Sequence, residues 1–153
     1  MFRQAVLIAT ATFIGAAAAP GAFAQNVIAT ADGETTGIRI DITELSRTSG
    51  ETVTLKFRLV NESGESANPN QMLGVAGGGD IKEVHLIDAA GKKKYLVIKD
   101  SDGKCLCTDN LDSQLDSGKS INLWARFPAP PAEVKEVSVV FPNFIPTDAP
   151  LAD

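Results

Sequence analysis

The chain reads as an all-β protein, an immunoglobulin-like antiparallel β-sandwich of about seven strands, with a small Greek-key barrel as the runner-up. Three observations predict this class. Apolar and polar residues alternate at period two in several short segments. Clusters of Gly, Pro, Asn, Asp and Ser separate those segments, at a spacing of about 10–15 residues. No segment carries the 3.6-residue apolar stripe of an amphipathic helix, and no internal repeat is visible.

The N-terminus precedes this pattern and differs from it. Arg3 is followed by an uncharged apolar run from Ala5 through Ala19, then Pro20-Gly21 and Ala22-Phe23-Ala24. That is the layout of a secretory signal peptide spanning 1–24, cut after Ala24 to leave Gln25 first. The run is shorter than the ~20 apolar residues that cross a bilayer, so no membrane span is expected in the mature chain. Residues 25–35 show no sustained period and read as a flexible leader, which places the sandwich domain at 36–150.

The elements follow in order. In GIRIDITEL, Ile38, Ile40 and Ile42 share one face while Arg39, Asp41 and Thr43 share the other. After the turn SRTSGE, Val53, Leu55, Phe57 and Leu59 point inward, with Thr54, Lys56 and Arg58 outward. Residues 61–80 are rich in Gly, Asn and Ser and contain Pro69, so they read as a long loop, pinned by residues 72–75 or holding a short edge strand there. Strands are expected in IKEVHLIDA, KKYLVIKD and around CLCTDN, the last two joined by the turn SDGK. LDSQLDSGKS reads as a loop with a leucine plug. INLWARF then alternates Ile121, Leu123, Ala125 and Phe127 against Asn122, Trp124 and Arg126. The prolines of PAPPAE end that strand, and VKEVSVVFP supplies the last clear one.

Charge narrows the function classes. The 153-residue chain holds 14 Lys and Arg against 19 Asp and Glu, a net charge of −5. Removing Arg3 with the signal leaves 13 cations and a net charge of −6 on 129 residues, the size of one domain. The largest basic cluster is Lys92-Lys93-Lys94, so nucleic-acid binding is not expected.

LDSGKSINLWARFPAPPAEVKEVSVVFP resembles the last two strands of bacterial extracytoplasmic immunoglobulin-like domains: a Gly-containing turn, an apolar strand ending in Phe-x-x-Pro, and a Val-rich final strand. YLVIKDSDGKCLCT is similar to segments of exported bacterial domains of unassigned function, some of which accompany peptidoglycan-binding modules. The likeness covers roughly residues 36–150. It implies a binding or accessory module and carries over no catalytic residue.

The sharpest chemistry lies at Cys105 and Cys107, the only cysteines. Thiols of an exported chain oxidise, and an even count with no other partner pairs these two. Two residues of extended strand separate Cα atoms by about 6.6 Å, the upper edge of what a disulfide tolerates, so the bond requires a local bend after Ser101-Asp102-Gly103. Closing so short a loop constrains the unfolded chain by only about 1.6 kcal/mol. Two other readings stay open. One is dithiol redox chemistry, opposed by the missing Cys-x-x-Cys and by neighbouring Asp100, Asp102 and Asp109, which raise a thiol pKa. The other is a soft Cu(I) site built from Cys105, Cys107, His85 (the only histidine) and Met72 (the only methionine after the signal). A calcium site at Asp100, Asp102, Asp109 and Asp112 lacks the EF-hand spacing and its closing Glu.

Trp124 falls on the polar register of its strand and marks a candidate contact surface. No nucleophile elbow, paired His ligands or phosphate loop is present, and a single His limits acid–base catalysis. The expected protein is therefore a non-enzymatic, cofactor-free module of the periplasm or extracellular space. Its partner is an unknown envelope protein or ligand.

Overall fold

Period-two alternation predicts which side chains turn inward, and the inward sets close a shared core. The computed structural model describes residues 26–75 and 80–153, so the predicted signal peptide lies outside the described residues. Eight strands form: β1 (Ala29–Asp32), β2 (Ile38–Thr48), β3 (Thr52–Asn61), β4 (His85–Asp88), β5 (Lys93–Leu96), β6 (Lys119–Pro128), β7 (Glu136–Val140) and β8 (Thr147–Pro150). One short helix, α1 (Pro69–Met72), interrupts the loop between β3 and β4.

The strands make two four-stranded sheets, ordered β1-β2-β3-β6 and β5-β4-β7-β8, with every pairing antiparallel. The chain changes sheet between β3 and β4, between β5 and β6, and between β6 and β7. β3 thereby pairs with β6 in one layer while β4 pairs with β7 in the other, the interlocked arrangement of an immunoglobulin-like sandwich. Ile40, Ile42, Leu55, Phe57 and Phe127 from the first sheet meet Leu86, Val139 and Phe141 from the second, all fully buried. Phe57 and Phe141 bridge the layers with ring centroids 4.8 Å apart, in a tilted arrangement.

β2 carries a bulge. Its register against β3 shifts between Ile42 and Glu44, so the next inward residue is Leu45 and not Glu44. Pairing with β1 ends at Ile42, and beyond the bulge the terminal segment bridges to β2 instead. Ala152 donates to the Leu45 carbonyl (3.0 Å) and accepts from the Arg47 N–H (2.9 Å).

Four features differ from the sequence expectation. The stretch expected as a leader contains β1, whose four residues bury only Ala31 and so show no alternation. β8 follows the strand expected to be last, and it buries only Ala149. KKYLVIKD keeps strand geometry only over Lys93–Leu96, and the cysteine segment makes isolated bridges to Lys99 and Ala125 in place of a full strand. The long loop holds α1, because the Asn68 side chain caps the Asn70 N–H and Pro69 stands in the first turn, where its missing N–H costs nothing. Leu73, fully buried, pins that loop to the core.

Asn61 organises the base of the same loop. Its side-chain amide donates to the carbonyls of Glu65 and Leu115 (both 2.8 Å) and accepts from Ser63 through both backbone and hydroxyl. A fully buried amide is tolerated because both its ends are hydrogen-bonded. Gly37 is the other fixed point. Its φ is +83°, and a Cβ there would fall 2.6 Å from Ser63 Cα, so no larger residue fits.

Candidate functional site

The cysteine segment is shaped by its preceding turn. The Asp100 carboxylate accepts the N–H groups of Asp102 and Lys104 (both 2.9 Å), and the Asp100 N–H donates to the Lys104 carbonyl (2.8 Å). Asp100, a residue of the calcium reading, thus serves as the turn's internal acceptor. The turn supplies the bend that a pair two residues apart needs. Cys105 and Cys107 stand at disulfide distance with Cα atoms 5.3 Å apart, leaving no free cysteine.

This hairpin lies along the outer edge of β6. Ile98 donates to the Arg126 carbonyl (2.9 Å), Leu106 to the Ile98 carbonyl (2.8 Å) and Arg126 to the Leu106 carbonyl (2.9 Å). The outward main-chain groups of β6 are thereby satisfied at Arg126. Outside the ring of main-chain bonds, Lys104 and Asp109 form an ion pair at 2.9 Å. The ammonium holds the Asp109 carboxyl below its usual range, and the carboxylate raises the Lys104 ammonium in return. Both cysteines face inward, at 4 % and 5 % exposure, and belong to the core.

The Asp80 carboxylate and the two sulfurs offer atoms that lie within 4.8 Å of one another. His85 stands outside that group. It sits on β4 with its Nδ1 3.0 Å from the Glu83 carbonyl. Met72 ends α1, partly buried against the core, and its carbonyl accepts from Asn143. Asp80 was not singled out from the sequence, since nothing in its spacing from the cysteines marks it.

Trp124 occupies the outer face of the β3–β6 pair at 40 % exposure. Its backbone is fastened to the hairpin: its N–H donates to the Thr108 hydroxyl (2.9 Å) and its carbonyl accepts the Thr108 N–H (2.9 Å). Lys56 is its cross-strand partner, and Glu44 stands on the far side of Lys56 in an ion pair of 2.7 Å. Thr43, Lys56, Asn122 and Trp124 line a groove of about 220 Å³ over Phe57 and Leu123.

Two larger clefts, of about 520 and 640 Å³, flank the proline segment after β6 and share Lys93 and Pro131. Sequence reasoning did not find them, because they are assembled from residues far apart in the chain. Two of their charged residues help to hold the fold. Arg47 donates to the carbonyls of Pro130 (2.6 Å), Pro131 (2.8 Å) and Val134 (2.9 Å), and Asp88 accepts the Gly91 N–H (2.9 Å). The buried Tyr95 hydroxyl is left without a partner among the described residues; burial first, then the Asp88 carboxylate, raises its pKa.

No family model matches this chain, and no curated protein or solved structure matches it.

Proposed function

We propose that the chain is an exported, non-catalytic binding or accessory module of the cell envelope, whose contact surface is the outer face of the β3–β6 pair around Trp124. The half-exposed tryptophan carries this reading. An indole so placed contributes little to the core, yet offers a large rigid surface of the kind that dominates contacts between molecules. The signal-like N-terminus supports export.

The groove's chemistry selects the ligand class. An apolar ring is bordered by an ammonium (Lys56), an amide (Asn122) and a hydroxyl (Thr43). That mixture suits a sugar ring of a cell-envelope glycan, which has an apolar face and a rim of hydroxyls. Co-sedimentation of the mature protein with insoluble peptidoglycan is the direct test. Wild type should pellet with the polymer and Trp124→Ala should remain soluble, while a control change at exposed Leu96 has no effect. Equal behaviour of wild type and Trp124→Ala would remove the assignment.

A further inference from the structure

Among the described residues, Asp80, Cys105 and Cys107 are the three metal-ligating side chains whose donor atoms gather within 4.8 Å. A tetrahedral ion with bonds of ~2.0–2.3 Å holds its donors about 3.3–3.8 Å apart, so the two sulfurs, joined in the disulfide, must part on reduction, while the Asp80 carboxylate already stands within 4.8 Å of both. The sulfurs are presented from i and i+2 by a hairpin whose backbone is anchored at Ile98, Leu106 and Arg126. The half-buried Asp80 carboxylate faces them from the segment before β4. While joined to each other the sulfurs have no thiolate to offer.

We infer that Cys105, Cys107 and Asp80 form a redox-gated Zn²⁺ site, closed while the disulfide stands and opened when a dithiol reduces it. The donor set decides the metal. A hard carboxylate beside two thiolates suits borderline Zn²⁺, whereas Cu(I) favours soft donors throughout. His85, the third donor expected for Cu(I), lies outside the group.

The chemistry balances in two steps. A dithiol reductant gives two electrons and two protons; the Cys105–Cys107 bond breaks, two thiols form, and the reductant leaves as a cyclic disulfide. Zn²⁺ then binds as both thiols release their protons, with Asp80 ligating as the carboxylate it already is and water taking the fourth position. Two protons therefore appear per ion bound.

The test uses the full mature protein, reduced without oxygen on an immobilised dithiol that is then removed. Titration with Zn²⁺ should show one ion per chain and two protons released, and Co²⁺ should give thiolate charge-transfer absorption. Asp80→Asn should weaken Zn²⁺ binding by about tenfold or more, His85→Ala should leave it unchanged, and the oxidised protein should bind none. A cooperative melt of each oxidised variant establishes that it is folded, and Asp80→Ser replaces Asp80→Asn should the latter fail to fold. Absence of Zn²⁺ binding in the reduced protein would overturn the inference. So would an affinity indifferent to Asp80, or one lost in His85→Ala.

Discussion

A carboxylate on the outer face of a sheet is ordinarily solvated, but the Asp41 side chain is only 5 % exposed. It lies opposite Arg58 across the β2–β3 ladder and accepts from that guanidinium at 3.0 Å and from Arg39 Nε at 3.1 Å. Arg39 reaches on to Glu62 at 2.7 Å and holds the Glu62 carboxyl below its usual range, so the outer face carries a chain of charges. Asp41→Ala should cost about 2–3 kcal/mol in chemical denaturation. That is less than the ~3–5 of a fully buried pair, because both guanidinium groups keep solvent. Phe57→Ala should cost about 3–5 kcal/mol, since its ring bridges both sheets, while Lys56→Ala beside it should cost under about 1. Equal losses at 56 and 57 would mean that the faces are misassigned. The faces of Ile38–Ile42 and of Val53–Leu59 were readable because side-chain direction depends only on local period. The pairing of Asp41 with Arg58, 17 residues on, was not, because it depends on the register between β2 and β3.

The hairpin of residues 98–108 behaves as an element of its own, fixed to β6 by main-chain bonds and closed by a bond that spans three residues. Reduction should leave the sandwich folded, because so short a loop adds only about 1.6 kcal/mol through chain entropy. Hydrogen exchange should rise over residues 98–108 and at Trp124–Arg126, which share its hydrogen bonds. The appropriate variant is Cys105→Ala/Cys107→Ala, not a serine pair. Both positions are buried in the core, where two unpartnered hydroxyls would each cost about 1–3 kcal/mol. The alanine pair should melt within ~3–10 °C of wild type, and a larger loss would show the cysteines to be central to the core. The need for a bend was legible, since two extended residues overshoot a disulfide's reach. The hairpin's docking on β6 and the approach of Asp80 were not, because both are tertiary. Likewise β1 and β8 escape a periodicity reading, each offering one buried alanine, and the bulge before Leu45 was not read from the alternation of Ile38, Ile40 and Ile42, which ends there.

At the scale of the molecule, the surface ion pairs set the response to acid. Lys56 holds Glu44, Arg39 holds Glu62, and Lys135 holds Asp153 below their ordinary values of 4.5, 4.5 and 3.8. A carboxyl whose folded pKa is depressed contributes stability that is complete above its unfolded value and lost as pH falls through the folded one. Melting temperature should therefore stay level from neutral pH to about 5 and fall below about 4.5. Thermal melts across that range check the sign, and a rise on acidification would contradict it. The sandwich itself was the most legible property, because strands such as β2, β3 and β6, each with one face in the core, leave their period in the sequence. The proposed contact face was legible only as one residue out of place, Trp124. Since this is the chain's only tryptophan, its fluorescence tests the central claim most directly. Titrating oxidised mature protein with soluble peptidoglycan fragments should shift and saturate the emission as the groove beside Lys56 and Asn122 is covered. Emission that stays unchanged while the fragments bind elsewhere, or do not bind at all, would contradict the account.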